Sequence, residues 1–414
     1  MTKKKTTNEK HGHKPNWQEQ TATVDDIKAY LQDNVWLRHN IVTGRVEYRL
    51  PDTDVWQPLN DRIVNSLWAG LSAEKRVRAQ DVFRVMESDF VPAFHPFRHY
   101  LQRLPLWDGQ DYIMELAVTV IVKGGVDEQM LFAEYLKKWM VGMVAAWVDD
   151  TVVNNVILVL IGEQGSYKTT WFNYLLPPPL KQYFYTKANA SRLQRDDLLV
   201  LAQYGLVCCE ELDTMRPAEL NQLKAAVTMT SIDERAAYAH FHEHRPHIAS
   251  FCGTGNNVEF LSDPTGNRRW LPFEVQSIDS PRERPFNYEG IYAQAYALYQ
   301  QGFRYWFSQE EILRLQQHNR HYETPHLEME LVDMYFRRPG ENEAGEFMPI
   351  SRAMQIVSGN LTQQISPSKL GAAFKAQGFE SQRTKHSRGY VVIVRDAMEI
   401  KERQKLMAMD DKPF

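Results

Sequence analysis

Cysteine is scarce, three in 414 residues, and Cys208, Cys209 and Cys252 all fall in apolar, strand-like runs where a free thiol behaves as a small buried hydrophobe. A disulfide framework is excluded, and a reducing, cytoplasmic setting is expected. Long hydrophobic runs are lacking too: none approaches the roughly 20 residues that span a bilayer, so no membrane partner is expected. Nor does one sign of charge dominate. With 48 Lys and Arg against 52 Asp and Glu, the net charge of −4 excludes a uniformly basic surface and leaves nucleic-acid contact to local patches. What remains is ordinary globular composition, 43% apolar and 24% charged. Its length suits two or three domains.

Residues 1–23 are basic without the apolar stretch of a signal peptide, and are expected to be a disordered leader. Residues 24–150 predict an N-terminal α+β and helical region. A helix is expected over Val24–Gln32, strands between Trp36 and Trp56 around turns at Thr43-Gly44 and Pro51-Asp52, and helical periodicity from Asp61 to Trp147. At Val156 the texture changes to a continuous apolar run ending at Gly162, as expected of a strand buried on both faces of a parallel sheet. Similar runs at Gly205–Cys209 and Ile248–Gly253, with helices between them, predict an α/β core that with its following helices spans 151–310. Residues 327–396 read as three helices and a basic-tipped hairpin, a winged-helix-like domain, followed by a tail over 397–414.

The first strand leads into Gly162-Glu-Gln164-Gly165-Ser166-Tyr167-Lys168-Thr169-Thr170 and then an amphipathic helix. This context suits an ATP-binding phosphate loop: backbone amides and a helix N-terminus cradle phosphates, Lys168 reaches the β- and γ-oxygens, and the Thr169 hydroxyl binds Mg²⁺. Tyr167 stands where the pattern has a second glycine, so the loop must accept a Cβ at a normally permissive position. An ordinary Gly-containing turn is the alternative. The second strand ends in Glu210-Glu211-Leu-Asp213 at the sheet edge where open α/β folds bind ligands. Glu210 is assigned to the metal shell, Glu211 to polarising the attacking water, and Asp213 to a helix cap. The third ends in Asn256-Asn257, with Asn256 the first choice to contact the γ-phosphate or the water and a simple turn as the alternative. Arg268 and Arg269 suit bidentate phosphate contact at a neighbour's ATP, or else surface ion pairs.

Together, His95-Pro-Phe-Arg98, Trp107-Asp-Gly109, Gly162-Glu-Gln-Gly with Lys168-Thr169, Glu210-Glu211, Gly253-Thr-Gly-Asn256 and Thr265-Gly-Asn-Arg268-Arg269 resemble the virulence-associated protein E family of P-loop ATPases. That family is related to the superfamily 3 helicases of phages and mobile elements, and the resemblance covers about Ser88 to Val275. It implies an AAA+-like core, Mg·ATP hydrolysis between subunits of a hexameric ring, and DNA translocation through its pore. It further implies a pore hairpin before the third strand, where Arg235, Tyr238, His240, His242 and Arg245 would contact single-stranded or forked DNA. Zinc at His240, His242 and His244 is the competing idea, without a fourth ligand at metal-like spacing.

In the C-terminal domain, Lys369 and Lys375 on a candidate recognition helix and Arg383, Lys385 and Arg388 on the wing are further DNA contacts. A small docking domain is the alternative there. The sequence therefore predicts an ATPase and DNA helicase using ATP and Mg²⁺ in phage or mobile-element replication. A slow ATP-dependent DNA-binding switch or loader without unwinding activity is the rival. No primase site is recognisable, and the N-terminal region has no assigned chemistry.

Overall fold

A computed structural model describes residues 20–187, 195–234, 243–261, 267–324, 327–340, 343–360, 365–384 and 387–410. The chain divides into two units, Met1–Tyr322 and Glu323–Phe414. In the first, Thr23 starts α1 (Val24–Asn34) through a capping box with Asp26. There follow β1 (Trp36–Asn40), β2 (Arg45–Arg49), β3 (Gln57–Pro58), α2 (Asp61–Ser72), α3 (Ala79–Met86) and β4 (Ala93–Phe94). The strands form one sheet in the order β3-β2-β1-β4. Leu37 and Tyr48 pack one face of it against Ile27, Leu31, Leu67 and Val82 of the three helices. On the other face stand Trp36, Arg38 and Asn40, opposite Arg49, Glu47 and Arg45. Buried Asn40 joins this module to the rest of the unit, its Nδ2 donating to Glu47 Oε1 at 2.6 Å and to the Tyr183 hydroxyl at 2.7 Å.

Next come α4 (Pro96–Gln102), α5 (Tyr112–Ala117), β5 (Val120–Val122), α6 (Gly125–Val148), β6 (Ile157–Ile161), α7 (Lys168–Leu175), β7 (Phe184–Lys187), α8 (Arg195–Gln203), β8 (Leu206–Cys209), α9 (Pro217–Val227), the hairpin strands β9 (Ser231–Glu234) and β10 (Glu243–Pro246), β11 (Ser250–Gly255), β12 (Trp270–Ile278), α10 (Tyr288–Gln300) and α11 (Gln309–Asn319). Six strands make the main sheet, in the order β5-β12-β6-β11-β8-β7. All neighbours are parallel except β5 against β12.

The apolar runs follow from burial on both faces. Leu158 and Leu160 of β6 face a core shared with α6, α7 and α10, and Ile157, Val159 and Ile161 face one shared with α8 and α9. The cysteines lie within this sheet, and burial pushes the Cys209 thiol up to about 12. Although the sequence groups α6 with the N-terminal helices, it packs on the main sheet. The Trp139 and Trp147 indoles donate to Phe251 O at 3.0 Å and Gly205 O at 3.2 Å. Helices hydrophobic all round occupy such core positions.

The second unit holds α12 (Leu327–Tyr335), β13 (Phe336–Arg337), β14 (Glu346–Pro349), α13 (Ile350–Val357), α14 (Pro367–Ala376), β15 (Ser381–Arg383), β16 (Arg388–Val394) and α15 (Ala397–Asp410). β16 pairs with β13, β14 and β15. Val332, Phe336, Leu370, Phe374 and Tyr390 centre its own core. The chain is thus a mixed α/β protein. Among the described residues no helix is long and apolar enough to cross a membrane.

Candidate functional site

Three strand ends build one cleft. β11 lies between β6 and β8, so the segments leaving β6, β11 and β8 emerge side by side at their carboxyl edge, where open α/β sheets hold ligands. The cleft is about 380 Å³ and brings together Gln164 to Thr170, Glu210, Glu211 and Thr254 to Asn256. Residues named from three distant stretches of sequence therefore share one wall-to-wall site.

The loop from Gly162 to Tyr167 turns the chain from β6 into α7, whose free N-terminal amides point at the cleft. α7 is held from behind: the Trp171 indole donates to Thr119 Oγ1 at 2.8 Å, and the Tyr288 and Tyr292 hydroxyls satisfy the Tyr174 and Leu175 carbonyls. Tyr167 caps it in the left-handed region, φ 62° and ψ 10°, and is itself 45% exposed. Glycine adopts this conformation freely, whereas a residue with a Cβ holds it at a cost of roughly 1–2 kcal/mol. Lys168 is buried, and its ammonium donates to Gly162 O at 2.7 Å, Glu163 O at 2.6 Å and Ser166 Oγ at 3.2 Å. Burial holds it below the ordinary lysine value, and the Asp213 carboxylate opposes that shift. A cation kept within a loop of amides, with an open space above Gly165, fits a phosphate chain.

Glu211 also adopts the left-handed conformation, φ 54° and ψ 44°, which turns the chain sharply after β8 and leaves Glu210 and Glu211 lining the cleft. Two glycines of β11 make room for this turn. A Cβ on Gly253 would collide with Leu212, and one on Gly255 would lie 3.1 Å from Asp213 Oδ1. Asp213 is not a helix cap: α9 is capped by Arg216 and Glu219, and Asp213 Oδ2 accepts from Asn257 N at 3.1 Å. Its Oδ1 is buried with no hydrogen-bond partner among the described residues, an acceptor turned toward the Thr254–Asn256 wall. Asn257 takes the turn chemistry, its Oδ1 accepting from Glu259 N at 3.1 Å, while Asn256 lines the cleft. Buried Thr254, not singled out from the sequence, joins the wall; its only signal there was a polar residue between two glycines in an apolar strand.

The other named residues lie elsewhere. Arg268 and Arg269 occupy a 3₁₀ turn before β12, whose Trp270 pairs with Ile157, the first residue of β6. They therefore sit at the opposite edge of the sheet from the loop after Ile161, about 15 Å away by strand rise. Asn319 of α11, unremarked in the sequence, pins their turn by donating to Asn267 O at 2.8 Å and Trp270 O at 3.0 Å. Burial and the adjacent Arg268 both pull Arg269 below the ordinary guanidinium value.

Arg235, Tyr238, His240, His242 and Lys385 lie outside the described residues. Arg245 is half-buried on β10, with its guanidinium packed on Gly44 in the β1–β2 turn, so it braces the hairpin base against the N-terminal module. His244 contacts Asp233 across the hairpin, Nδ1 to Oδ1 at 2.7 Å. In the second unit Lys369 and Lys375 are exposed on α14, and exposed Arg383 and Arg388 stand directly opposite each other on β15 and β16.

The virulence-associated protein E-like domain matches residues 101–324, more than half of the chain, and the chain belongs to that family. No match is found among curated proteins. Among solved structures, the apo form of the NrS-1 C-terminal region is similar with a TM-score of 0.52 at 11% identity, covering 89% of this chain and 98% of that one. An A-form apo structure of the same region has a TM-score of 0.51 at the same identity and coverage. At such identity the likeness is one of fold.

Proposed function

We propose that this chain is an ATP-hydrolysing, helicase-type motor acting on DNA, with an AAA+-like P-loop core, in the replication of a phage or mobile element. The observation that carries the reading is the single cleft in which the Gly162–Thr170 loop, the Glu210-Glu211 turn and Asn256 converge. Lys168 exchanges its loop carbonyls for β- and γ-phosphate oxygens, and the amides opening α7 hold the phosphate chain. Thr169 and Glu210 would hold Mg²⁺, which would offset charge on the phosphates. Glu211 accepts a proton from the attacking water and Asn256 orients it.

Arg268 and Arg269, far from their own loop, serve the ATP of the next subunit, which makes the active species a ring, a hexamer by family resemblance. The second unit is a winged-helix-like DNA-binding domain. Support comes from Arg383 facing Arg388 across the hairpin: like charges in register are unfavourable unless an anion lies over them.

Glu211→Gln tests the chemistry. It should keep Mg·ATP binding while turnover falls about 100-fold or more; normal hydrolysis would remove Glu211 from the role. Mixing Lys168→Ala with Arg269→Ala subunits tests the ring, since hybrid assemblies regain sites that combine an intact loop with an intact arginine. No recovery despite co-assembly would discard arginine donation in trans.

A further inference from the structure

The N-terminal sheet offers a second surface, remote in character from the cleft. Its helix-covered face is apolar, whereas its opposite face carries aromatic rings interleaved with guanidiniums. Trp36 is 58% exposed at the start of β1. The Arg49 guanidinium lies 5.4 Å from the Trp36 ring and 5.5 Å from the Trp56 ring. Arg38 sits over Trp56 at 4.1 Å and Phe94 at 3.6 Å. Arg45, exposed, continues the same face.

Charge complementarity decides what such a face takes. Glu47 answers Arg38 but is itself buried, bound by Arg38 and Asn40. Asp54 meets Arg49 at 3.2 Å from a fully exposed position, where an ion pair is weak and easily exchanged. Arg49 Nε is buried with no hydrogen-bond partner among the described residues, so the partly exposed outer end of the guanidinium, at Asp54, is the part a ligand can reach. Beyond Phe94, exposed Arg103 contacts His99 at 3.1 Å and adds a further guanidinium to this side of the module. Asn40 and Glu47 are buried farther along this face, which is open at its Trp36 end; rings exposed there can stack on unpaired bases, and the guanidiniums beside them suit phosphates. A duplex presents no free base faces to such rings.

We propose that this face, centred on Trp36, Trp56 and Arg49, is a binding platform for single-stranded DNA. The choice of DNA over RNA rests on the proposed function; the stacking surface itself does not.

The test uses the full chain without nucleotide, so a chain that failed to hydrolyse ATP would leave the result readable. An oligothymidylate of about 20 residues carrying iododeoxyuridine is titrated by anisotropy, then crosslinked and mapped by mass spectrometry. Crosslinks are expected in the peptides holding Trp36 and Trp56. Trp36→Ala should weaken binding about ten-fold, with Trp36→Phe retaining most of the affinity. Arg49→Gln should reduce the slope of log affinity against log salt by about 0.7. Unchanged affinity in Trp36→Ala together with no crosslink to either tryptophan would overturn the platform, and tighter binding of the matching oligouridylate would overturn its assignment to DNA.

Discussion

Acid should unfasten one helix cap in the first unit. His95 Nδ1 accepts from Arg98 N at 3.3 Å, capping α4, whose first residue is Pro96. A protonated ring has no lone pair at that nitrogen. Burial, then the adjacent Arg98, pushes the imidazole down to about 4, with Asp150 opposing. Above the unfolded value near 6.5 the ring is neutral in both states and the cap contributes in full. Between that value and about 4 the unfolded chain takes up a proton that the folded chain refuses, so stability is lost as pH falls through this window. At about 1.4 kcal/mol per unit, the loss between pH 7 and pH 4.5 comes to about 2 kcal/mol once the exposed part of the ring is discounted. His95→Asn keeps an acceptor and removes the titration. Urea unfolding of both proteins at the two pH values should show wild type losing about 2 kcal/mol more than His95→Asn. Equal losses, or an NMR titration placing His95 near 6.5, would refute this reasoning.

Tyr167→Gly should leave thermal stability nearly unchanged, because relief of roughly 1 kcal/mol of left-handed strain is offset by the similar entropic cost of glycine. Tyr167→Val, β-branched at the same φ, should lower the melting temperature clearly. Gly253→Ala drives a Cβ into Leu212 and should cost about 1–3 kcal/mol in denaturant, while displacing the Glu211 turn and depressing nucleotide turnover. Asn319→Ala leaves the Asn267 and Trp270 carbonyls without their donor; it should cost about 1–3 kcal/mol and speed hydrogen exchange around Trp270.

Local chemistry was legible in the sequence and long-range assembly was not. The Val156–Ile161 run, the glycine-lysine loop and the paired glutamates each announce themselves within a few residues, because burial on two faces and a tight strand-to-helix turn impose local patterns. That β11 separates β6 from β8 is a pairing between distant segments, which no local pattern carries. The same holds for α6, whose periodicity shows a helix but not its partner, and for Arg245, basic and in a hairpin strand yet packed on Gly44. Asp213 looked like a cap because acidic residues before helices usually are; its bond to Asn257 depends on the close approach that Gly253 and Gly255 permit. Asn319 lies some 50 residues beyond the arginine turn it holds, and only the folded chain brings them together.

Steady-state phosphate release tests the central claim most directly. It is measured on the full chain with Mg²⁺ and ATP, in the presence and absence of single-stranded DNA, beside Lys168→Ala. Among the described residues the ammonium of Lys168 bonds to its own loop alone, so the variant should fold and melt like wild type. Wild type should release phosphate faster when DNA is added, and Lys168→Ala should release none above background under either condition. Equal rates for the two proteins would contradict a phosphate-binding role for the cleft.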